Sequence, residues 1–430
     1  MKRTALQHLI DWKNSKNRKP MVLKGARQVG KTWLMKEFGK NYYKNYVYFN
    51  FDEEDALNSI FKTNKNPHRI IELLTLLTGE KIVPQETLII FDEIQECPEA
   101  LNALKYFKEN ANDYHVIAAG SLLGTLLAQP KSYPVGMVNL LHIYPLTFDE
   151  FLEATDPILY AYYNTIQKNQ QIEQIFHDRL LEVYNNYLII GGLPECVESW
   201  IEEKNPARID QIQQELIEIY ENDFSKHNGN INSGRILMVF RSIVSQLAKP
   251  NEKFMYGAIR ESARARDFKE AVEWLVSAGI LHRVYNVAKP EHPLKAYDKL
   301  DQFKLFVFDT GLLKHMAGIG NSAILLKSNY QFKGPLTENY VLQQLQNLFP
   351  VEPRYFSDKN NEIDFLLQHG TDIIPVEVKG GEDKSAPSFK RYIAKHHPNH
   401  AIRFSKRGYR KDGEVTNIPL YLVRKTKELL

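Results

Sequence analysis

Cysteine is almost missing from this chain: Cys97 and Cys196 are the two in 430 residues, and neither has metal-ligand spacing. That excludes a disulfide-stapled scaffold, and both read as buried thiols of a protein in a reducing compartment. Long apolar runs are missing too. No stretch reaches the roughly 18 residues of a membrane span, and Met1–Ile10 is charged, without the apolar core of a signal peptide. The expected address is the cytoplasm. Nor is there a large excess of either charge. The formal net charge is +3, so a polyanion-binding surface has to be local rather than spread over the protein. What is present is globular material, 43% hydrophobic and 25% charged, in a chain long enough for about two to four domains.

One stretch organises the rest. After the strand-like Met21-Val22-Leu23 comes Lys24-Gly25-Ala26-Arg27-Gln28-Val29-Gly30-Lys31-Thr32-Trp33, which meets G-x-x-x-x-G-K-[ST] at every specified position. Gly25 and Gly30 permit backbone angles that turn successive N–H groups inward onto a polyphosphate. Lys31 supplies charge for the β- and γ-phosphates, and Thr32 a hydroxyl for Mg²⁺. Trp33–Gly39 reads as a helix whose N-terminus faces the same phosphates. ATP with Mg²⁺ is the expected ligand.

A second stretch agrees with it. Thr87-Leu88-Ile89-Ile90-Phe91-Asp92-Glu93 is a continuous apolar run ending in two carboxylates, as in a buried parallel strand whose tip faces a ligand. Asp92 is placed to hold Mg²⁺ and Glu93 to polarise the attacking water. Tyr114–Ser121 is a further buried strand, with Ser121 either beside the γ-phosphate or capping a helix over Leu122–Leu127. Strands near 21, 46, 88, 115 and 139, alternating with helices such as Pro67–Thr78, make a parallel α/β sheet over residues 1–146.

From Thr147 to about His227 the apolar spacing becomes helical, broken by Ile190-Gly191-Gly192-Leu193-Pro194. That turn is either a plain helix break or a rigid contact for adenine through Pro194. The helical region, 147–232, reads as a lid. Residues 233–295 read as three short helices, Arg235–Ala248, Met255–Glu261 and Phe268–Ala278, followed by a hairpin near Leu281–Val287, which is winged-helix order. Its third helix is not basic, so a protein-contacting module stands level with a DNA reader.

The remaining segment, 296–430, reads as mixed α/β. Glu338 on a helix, Asp364 and Glu377 on neighbouring strands, and Lys379 two residues after Glu377 have the spacing of a PD-(D/E)xK nuclease. Two acids on adjacent strand ends can share a divalent metal, and a lysine on the same face steadies the nucleophile. Glu377 and Lys379 as plain surface charges is the alternative. Downstream, Lys390, Arg391, Lys395, Arg403, Lys406, Arg407, Arg410 and Lys411 interleave with Phe389, Tyr392, Phe404 and Tyr409, as either a nucleic-acid surface or a solvated edge.

Together these stretches resemble a bacterial and archaeal family of AAA+-like, STAND-related P-loop ATPases, whose C-terminal domain of unknown function resembles PD-(D/E)xK nucleases. The resemblance implies a multidomain α/β fold: a parallel-sheet AAA+ core, a helical lid, a winged helix and a restriction-nuclease-like domain. It also implies ATP binding and hydrolysis, adenine contact at Pro194, and DNA or a protein partner or further copies of the chain as candidate partners. The resemblance leaves nuclease activity open. Pro134-Val135-Gly136-Met137 departs from relatives that carry a basic residue after Val-Gly. Arg27, Arg264 and Arg266 remain as candidates for an intersubunit cation.

Overall fold

The computed structural model describes residues 1–53, 55–121, 123, 136–250, 252–261, 263–326, 331–358, 361–381 and 386–430, with the side chains of 55 and 225–231 left aside. The chain forms two compact units, one of residues 1–144 with 277–279, the other of 145–276 with 280–430.

In the first unit, helix α1 (Ala5–Asn14) precedes strand β1 (Met21–Lys24) and α2 (Lys31–Tyr42). Strand β2 (Asn45–Asn50), α3 (Asp55–Thr63) and α4 (Pro67–Thr78) follow. Then come β3 (Thr87–Asp92), α5 (Pro98–Asn110), β4 (His115–Gly120) and β5 (Asn139–His142). Helix α4 starts where Asn66 Oδ1 accepts from His68 N and Arg69 N, with Pro67 at its first position. The sheet is parallel, in the order β2-β3-β4-β1-β5. Every residue of β3 and β4 is buried, which is why they read as unbroken apolar runs, while β2 and β5 at the edges alternate. Strand β4 is thus inserted between the loop-bearing β1 and the carboxylate-bearing β3. Five phenylalanines form one cluster, in which the Phe91 ring lies 5.6–6.4 Å from those of Phe49, Phe51, Phe61 and Phe107.

The second unit opens with helices α6 (Phe148–Thr155), α7 (Pro157–Thr165), α8 (Gln174–Ile190), α9 (Pro194–Glu203) and α10 (Pro206–Leu247). A straight α10 would put Phe224 and Phe240 about 24 Å apart. Their rings are 5.4 Å apart, and Glu221 pairs with Arg241 at 2.7 Å, so the chain doubles back between these residues. Only a single turn, Tyr256–Ala258, stands where a helix over Met255–Glu261 was expected, and α11 (Ala265–Ser277) follows.

Next come β6 (Leu281–Val287), β7 (Asp298–Val307), α12 (Thr310–Met316) and α13 (Lys333–Leu345). Strands β8 (Arg354–Ser357), β9 (Glu362–His369), β10 (Asp372–Val378), helix α14 (Pro387–His396), β11 (Ala401–Ser405), β12 (Arg410–Asp412) and β13 (Val415–Pro419) complete the order. The β6–β7 hairpin is not a free wing. It forms one end of an eight-stranded mixed sheet, β12-β13-β11-β10-β9-β8-β6-β7. The expected boundary at 295/296 falls inside the β6–β7 connection.

Three of the four tail aromatics belong neither to a nucleic-acid surface nor to a solvated edge, the two readings open for this stretch. Phe389, Tyr392 and Phe404 are at most 2% exposed, because α14 turns its apolar stripe inward and β11 is an internal strand. They are core residues and cannot stack on bases; Lys390, Arg391, Lys395, Arg410 and Lys411 remain on the surface.

Residues 420–425 close this unit on its first helices. Tyr421 OH is hydrogen-bonded to His177 Nδ1 at 2.7 Å, and Lys425 Nζ donates to the carbonyls of Tyr163, Asn164 and Ile166. Among the described residues, no helix is long and apolar enough to cross a membrane.

Candidate functional site

The loop after β1 takes the backbone path its glycines allow. Gly25 has φ 153° and Gly30 φ 88°, and a Cβ on Gly25 would sit 2.2 Å from the carbonyl oxygen of Ile143. Ile143 N in turn donates to Lys24 O at 2.7 Å, so the end of β5 braces the loop. Lys31 heads α2 and is 7% exposed, with Nζ donating to Gly25 O (3.0 Å) and Ala26 O (2.7 Å). Burial lowers its pKa to about 8 against the pull of Glu93 and Asp92. Thr32 Oγ1 donates to Asp92 Oδ2 at 2.6 Å, joining the two motifs that the sequence assigned to one metal. Burial raises the pKa of Asp92, while bonds from Thr32, Glu93 N and Tyr48 work the other way.

Glu93 stands one residue beyond, in the left-handed conformation at φ 47°. Its Oε2 accepts from Ser121 Oγ (3.3 Å) and from Gln95 Nε2, and Arg27 Nε reaches Ser121 Oγ at 3.4 Å. Thr32, Asp92, Glu93, Ser121 and Arg27 therefore form one hydrogen-bonded group, beside which Lys31 is turned onto the carbonyls of Gly25 and Ala26. Trp33 is 43% exposed at the start of α2. Two members were not singled out from the sequence: Tyr48, whose OH donates to Asp92 Oδ2 at 3.1 Å, and Gln95. The signal for Tyr48 was the alternation of β2, which puts Tyr46 and Tyr48 on one face. The helix expected over Leu122–Leu127, and Pro134 and Val135 of the departing motif, lie outside the described residues apart from Leu123.

Pro194 is the first residue of α9, in the second unit. Its turn is held by Asp309, which accepts from Gly192 N (2.7 Å) and Leu312 N (3.0 Å). Gly192 O accepts from Leu146 N, and a Cβ on Gly192 would lie 2.1 Å from Leu146 O. Gln343 of α13 joins this buried network through Thr310 and Tyr187. Of the other candidate cations, Arg266 is exposed and 3.8 Å from Asp267.

The second unit also holds a cavity of about 230 Å³ that brings together Glu338, Asp364, Glu377 and Lys379 with Glu252, Lys304 and Glu362. Period-two spacing puts Glu362 and Asp364 on one face of β9. Asp364 Oδ2 accepts from Val378 N at 2.7 Å, and Lys379 Nζ pairs with Glu377 Oε1 at 2.7 Å. Lys304, 2% exposed, reaches Glu252 (3.1 Å), Glu362 (3.4 Å) and Glu338 (3.7 Å). Burial and the neighbouring Glu252 hold the Glu338 carboxyl well above the usual range; burial, Glu338 and Glu377 do the same for Asp364. Burial opposes but Glu377 prevails in raising the pKa of Lys379. Among the described residues, no three His, Cys, Asp or Glu side chains are grouped to cage a metal ion. Lys304, Glu252 and Glu362 were not read from the sequence. The available signal was Lys304 alone in the apolar run Phe303–Phe308.

A phosphate loop on a parallel sheet with an inserted strand, and a threonine–aspartate pair at its mouth, call for comparison with nucleotide-binding domains. Residues 17–152 match an AAA domain. The first unit is an AAA-type, P-loop ATPase-like core. Beyond the AAA domain, residues 181–323 match a domain of unknown function (DUF8612) and residues 333–423 another (DUF4143). No curated protein matches the chain. Among solved structures it is similar to the Walker-type ATPase PABY2304 of Pyrococcus abyssi, at 14% identity and TM-score 0.48, covering 73% of this chain and 95% of that one. AMPPCP-bound DnaA from Aquifex aeolicus follows at 13% identity and TM-score 0.28, covering 64% and 87%. The Aeropyrum pernix ORC1 protein in complex with DNA has 13% identity and TM-score 0.25, covering 75% and 92%. All three TM-scores lie below 0.5, and the assignment of the AAA domain rests on the match over 17–152 and on the geometry around Lys31.

Proposed function

We propose that this protein binds ATP with Mg²⁺ and hydrolyses it slowly, as an AAA+-like switch or motor acting on its C-terminal domain. The observation that carries this is the 2.6 Å bond between Thr32 and Asp92, with Lys31 in the loop and Glu93 adjacent. Two hard oxygen donors at that spacing fit Mg²⁺, which keeps several waters and needs few protein ligands. Thr32 and Asp92 would hold the ion, which neutralises charge on the β- and γ-phosphates. Lys31 and the backbone N–H groups of Gly25–Trp33 bind and orient the triphosphate. Glu93 accepts a proton from the attacking water, and Ser121, which donates to Glu93 Oε2, orients that carboxylate. The bonds from Ser121 and Gln95 both fall on Glu93 Oε2, which leaves Oε1 as the oxygen that meets the water. A cationic finger from another subunit typically adds ~10³–10⁵ in rate, so a lone subunit is slow. Glu93→Gln is expected to cut turnover by ~10²–10⁴ while changing ATP affinity less than about threefold. Turnover left intact, followed as phosphate release, sinks the assignment.

Residues 1–146 are read as the ATPase core and 147–232 as its lid; because the β6–β7 hairpin joins the sheet of the nuclease-like domain, the expected division at 295/296 between a winged-helix-like module and that domain is not kept. A second reading is an ATP-gated, metal-dependent DNA nuclease, favoured by the convergence of Glu338, Asp364, Glu377 and Lys379 on one cavity. Mg²⁺ held by one or two carboxylates needs no three-acid cage, so Asp364 and Glu377 suffice as ligands. Cleavage of DNA in Mg²⁺ or Mn²⁺ is then expected to vanish in Asp364→Ala and Lys379→Ala; cleavage surviving both rules the site out. A non-catalytic DNA- or protein-binding scaffold is the remaining alternative.

A further inference from the structure

Three carbonyls of the phosphate loop are held by cations. Lys31 Nζ takes Gly25 O and Ala26 O, and has to leave them to reach a phosphate. The third, Val29 O, is taken from outside the loop by Arg3, which precedes α1. Arg3 Nη1 donates to Val29 O at 2.9 Å, and Nη2 donates to Tyr144 O, just past β5, at 2.6 Å. One planar fork, 8% exposed, thus ties the loop to the stretch after β5 that braces it. The fork is carried on a packed element. Arg3 O accepts from Leu6 N in the first turn of α1, and Leu9 and Trp12 of that helix are buried. The Trp12 ring lies 6.3 Å from that of Phe38 on α2, the helix the loop leads into.

A trans peptide is planar, with its C=O and N–H pointing opposite ways. Holding Val29 O on Arg3 therefore fixes the N–H of Gly30 in the direction away from Arg3. The loop works only if its N–H groups face the α- and β-phosphates; a carbonyl turned inward would meet them with like charge. Gly30 reaches φ 88° because it has no Cβ, and the same freedom would let the Val29–Gly30 peptide turn over. A buried, charge-assisted bond to Val29 O removes that alternative. We propose that Arg3 is a positioning residue of the ATP site: it holds the Val29–Gly30 peptide with its N–H toward the phosphates, and acts through that peptide without touching nucleotide. This rests on the reading of the loop as the ATP site.

Calorimetric affinities for ATP and ADP, with steady-state phosphate release, test this on the full chain. Arg3→Lys keeps the charge but not the two-pronged reach, and Arg3→Gln keeps neither. Both are expected to weaken ATP and ADP together, by roughly tenfold or more, since a hydrogen bond to a charged phosphate is lost. KM for ATP is expected to rise by the same factor with kcat within about threefold, because the cradle holds substrate and transition state alike. Arg18→Lys is the control. That guanidinium donates to Asn112 O, before the start of β4 rather than at the strand tips, so the variant loses a bond of the same kind and is expected to keep wild-type affinity. Folded Arg3 variants that bind both nucleotides as the wild type does overturn the inference and leave the ATP reading intact. So does a loss confined to ATP, a fall in kcat at unchanged KM, or a loss that Arg18→Lys reproduces. Should Arg3→Gln not fold, Arg3→Lys decides alone. A wild type that binds neither ATP nor ADP defeats the reading of the loop, and the inference with it.

Discussion

Glu93 holds a left-handed backbone conformation that costs a residue with a Cβ about 1–2 kcal/mol. Asp92 Oδ1 accepts from Glu93 N, which fixes that turn at the strand tip and aims the Glu93 carboxylate at Ser121. His115, at the opposite end of the same sheet, is a different kind of residue. It is 4% exposed, hydrogen-bonded to Tyr43 OH through Nδ1, and packed against Trp12, with Arg18 and Lys13 as the nearby cations. Burial and then those two cations lower its pKa to about 3. The unfolded chain takes up a proton near pH 6.5 that the folded chain refuses. Stability is therefore complete above pH 6.5 and is lost as pH falls toward 3, by up to ~1.4 kcal/mol per pH unit from this residue. Urea midpoints followed by tryptophan fluorescence should drop less between pH 7 and 5 in His115→Gln than in the wild type. Equal drops in the two proteins would remove His115 as the source.

At the scale of elements, the turn before α9 is held by a carboxylate that comes from more than 110 residues away. Asp309→Ala leaves Gly192 N and Leu312 N buried without an acceptor, at about 1–3 kcal/mol each. A loss of about 2–5 kcal/mol in urea unfolding is expected, and a smaller one for Asp309→Asn, which keeps an acceptor oxygen. Local signals of this kind set the limit of what could be read in advance. The five strands of the first unit and the Lys31, Thr32, Asp92, Glu93 group were legible, because β1, β3 and β4 are buried on both faces and their chemistry sits at strand tips. The acidic residues Glu338, Asp364 and Glu377 were legible as a spacing. Lys304 and Glu252 were not, since their meaning lies in a three-dimensional meeting with Glu362 and Glu338 that no local pattern encodes. Phe389, Tyr392 and Phe404 misled for the converse reason: a helix and an internal strand put apolar and basic residues next to each other in sequence and on opposite faces in space.

Over the whole molecule, a formal charge of +3 leaves little for long-range attraction to DNA. If Lys390, Arg391, Lys395, Arg410 and Lys411, the exposed cations described in the stretch 390–411, each meet one phosphate, about five are neutralised there. The slope of log affinity against log salt should then be no steeper than about −4.5. ATP turnover measured with and without double-stranded and single-stranded DNA, with DNA integrity followed in the same tube, separates the readings. The switch reading expects DNA to raise turnover and stay intact, and by linkage ATP and DNA then change each other's affinity by the same factor. Cleavage selects the gated nuclease, and a salt slope near zero with unchanged turnover selects a protein partner.

The anchoring of Lys425 on the carbonyls of Tyr163, Asn164 and Ile166 also has a meaning in time. A ribosome adds about 5–20 residues per second, so α6 and α7 wait on the order of tens of seconds for the ammonium that fastens them. Through that interval the nascent chain carries residues 1–144 already made, followed by helices whose tyrosine-lined faces have not met their cover. Synthesis thus passes through a stage at which residues 1–144 are complete while α6 and α7 are still uncovered, and at which a holdase chaperone has apolar surface to protect.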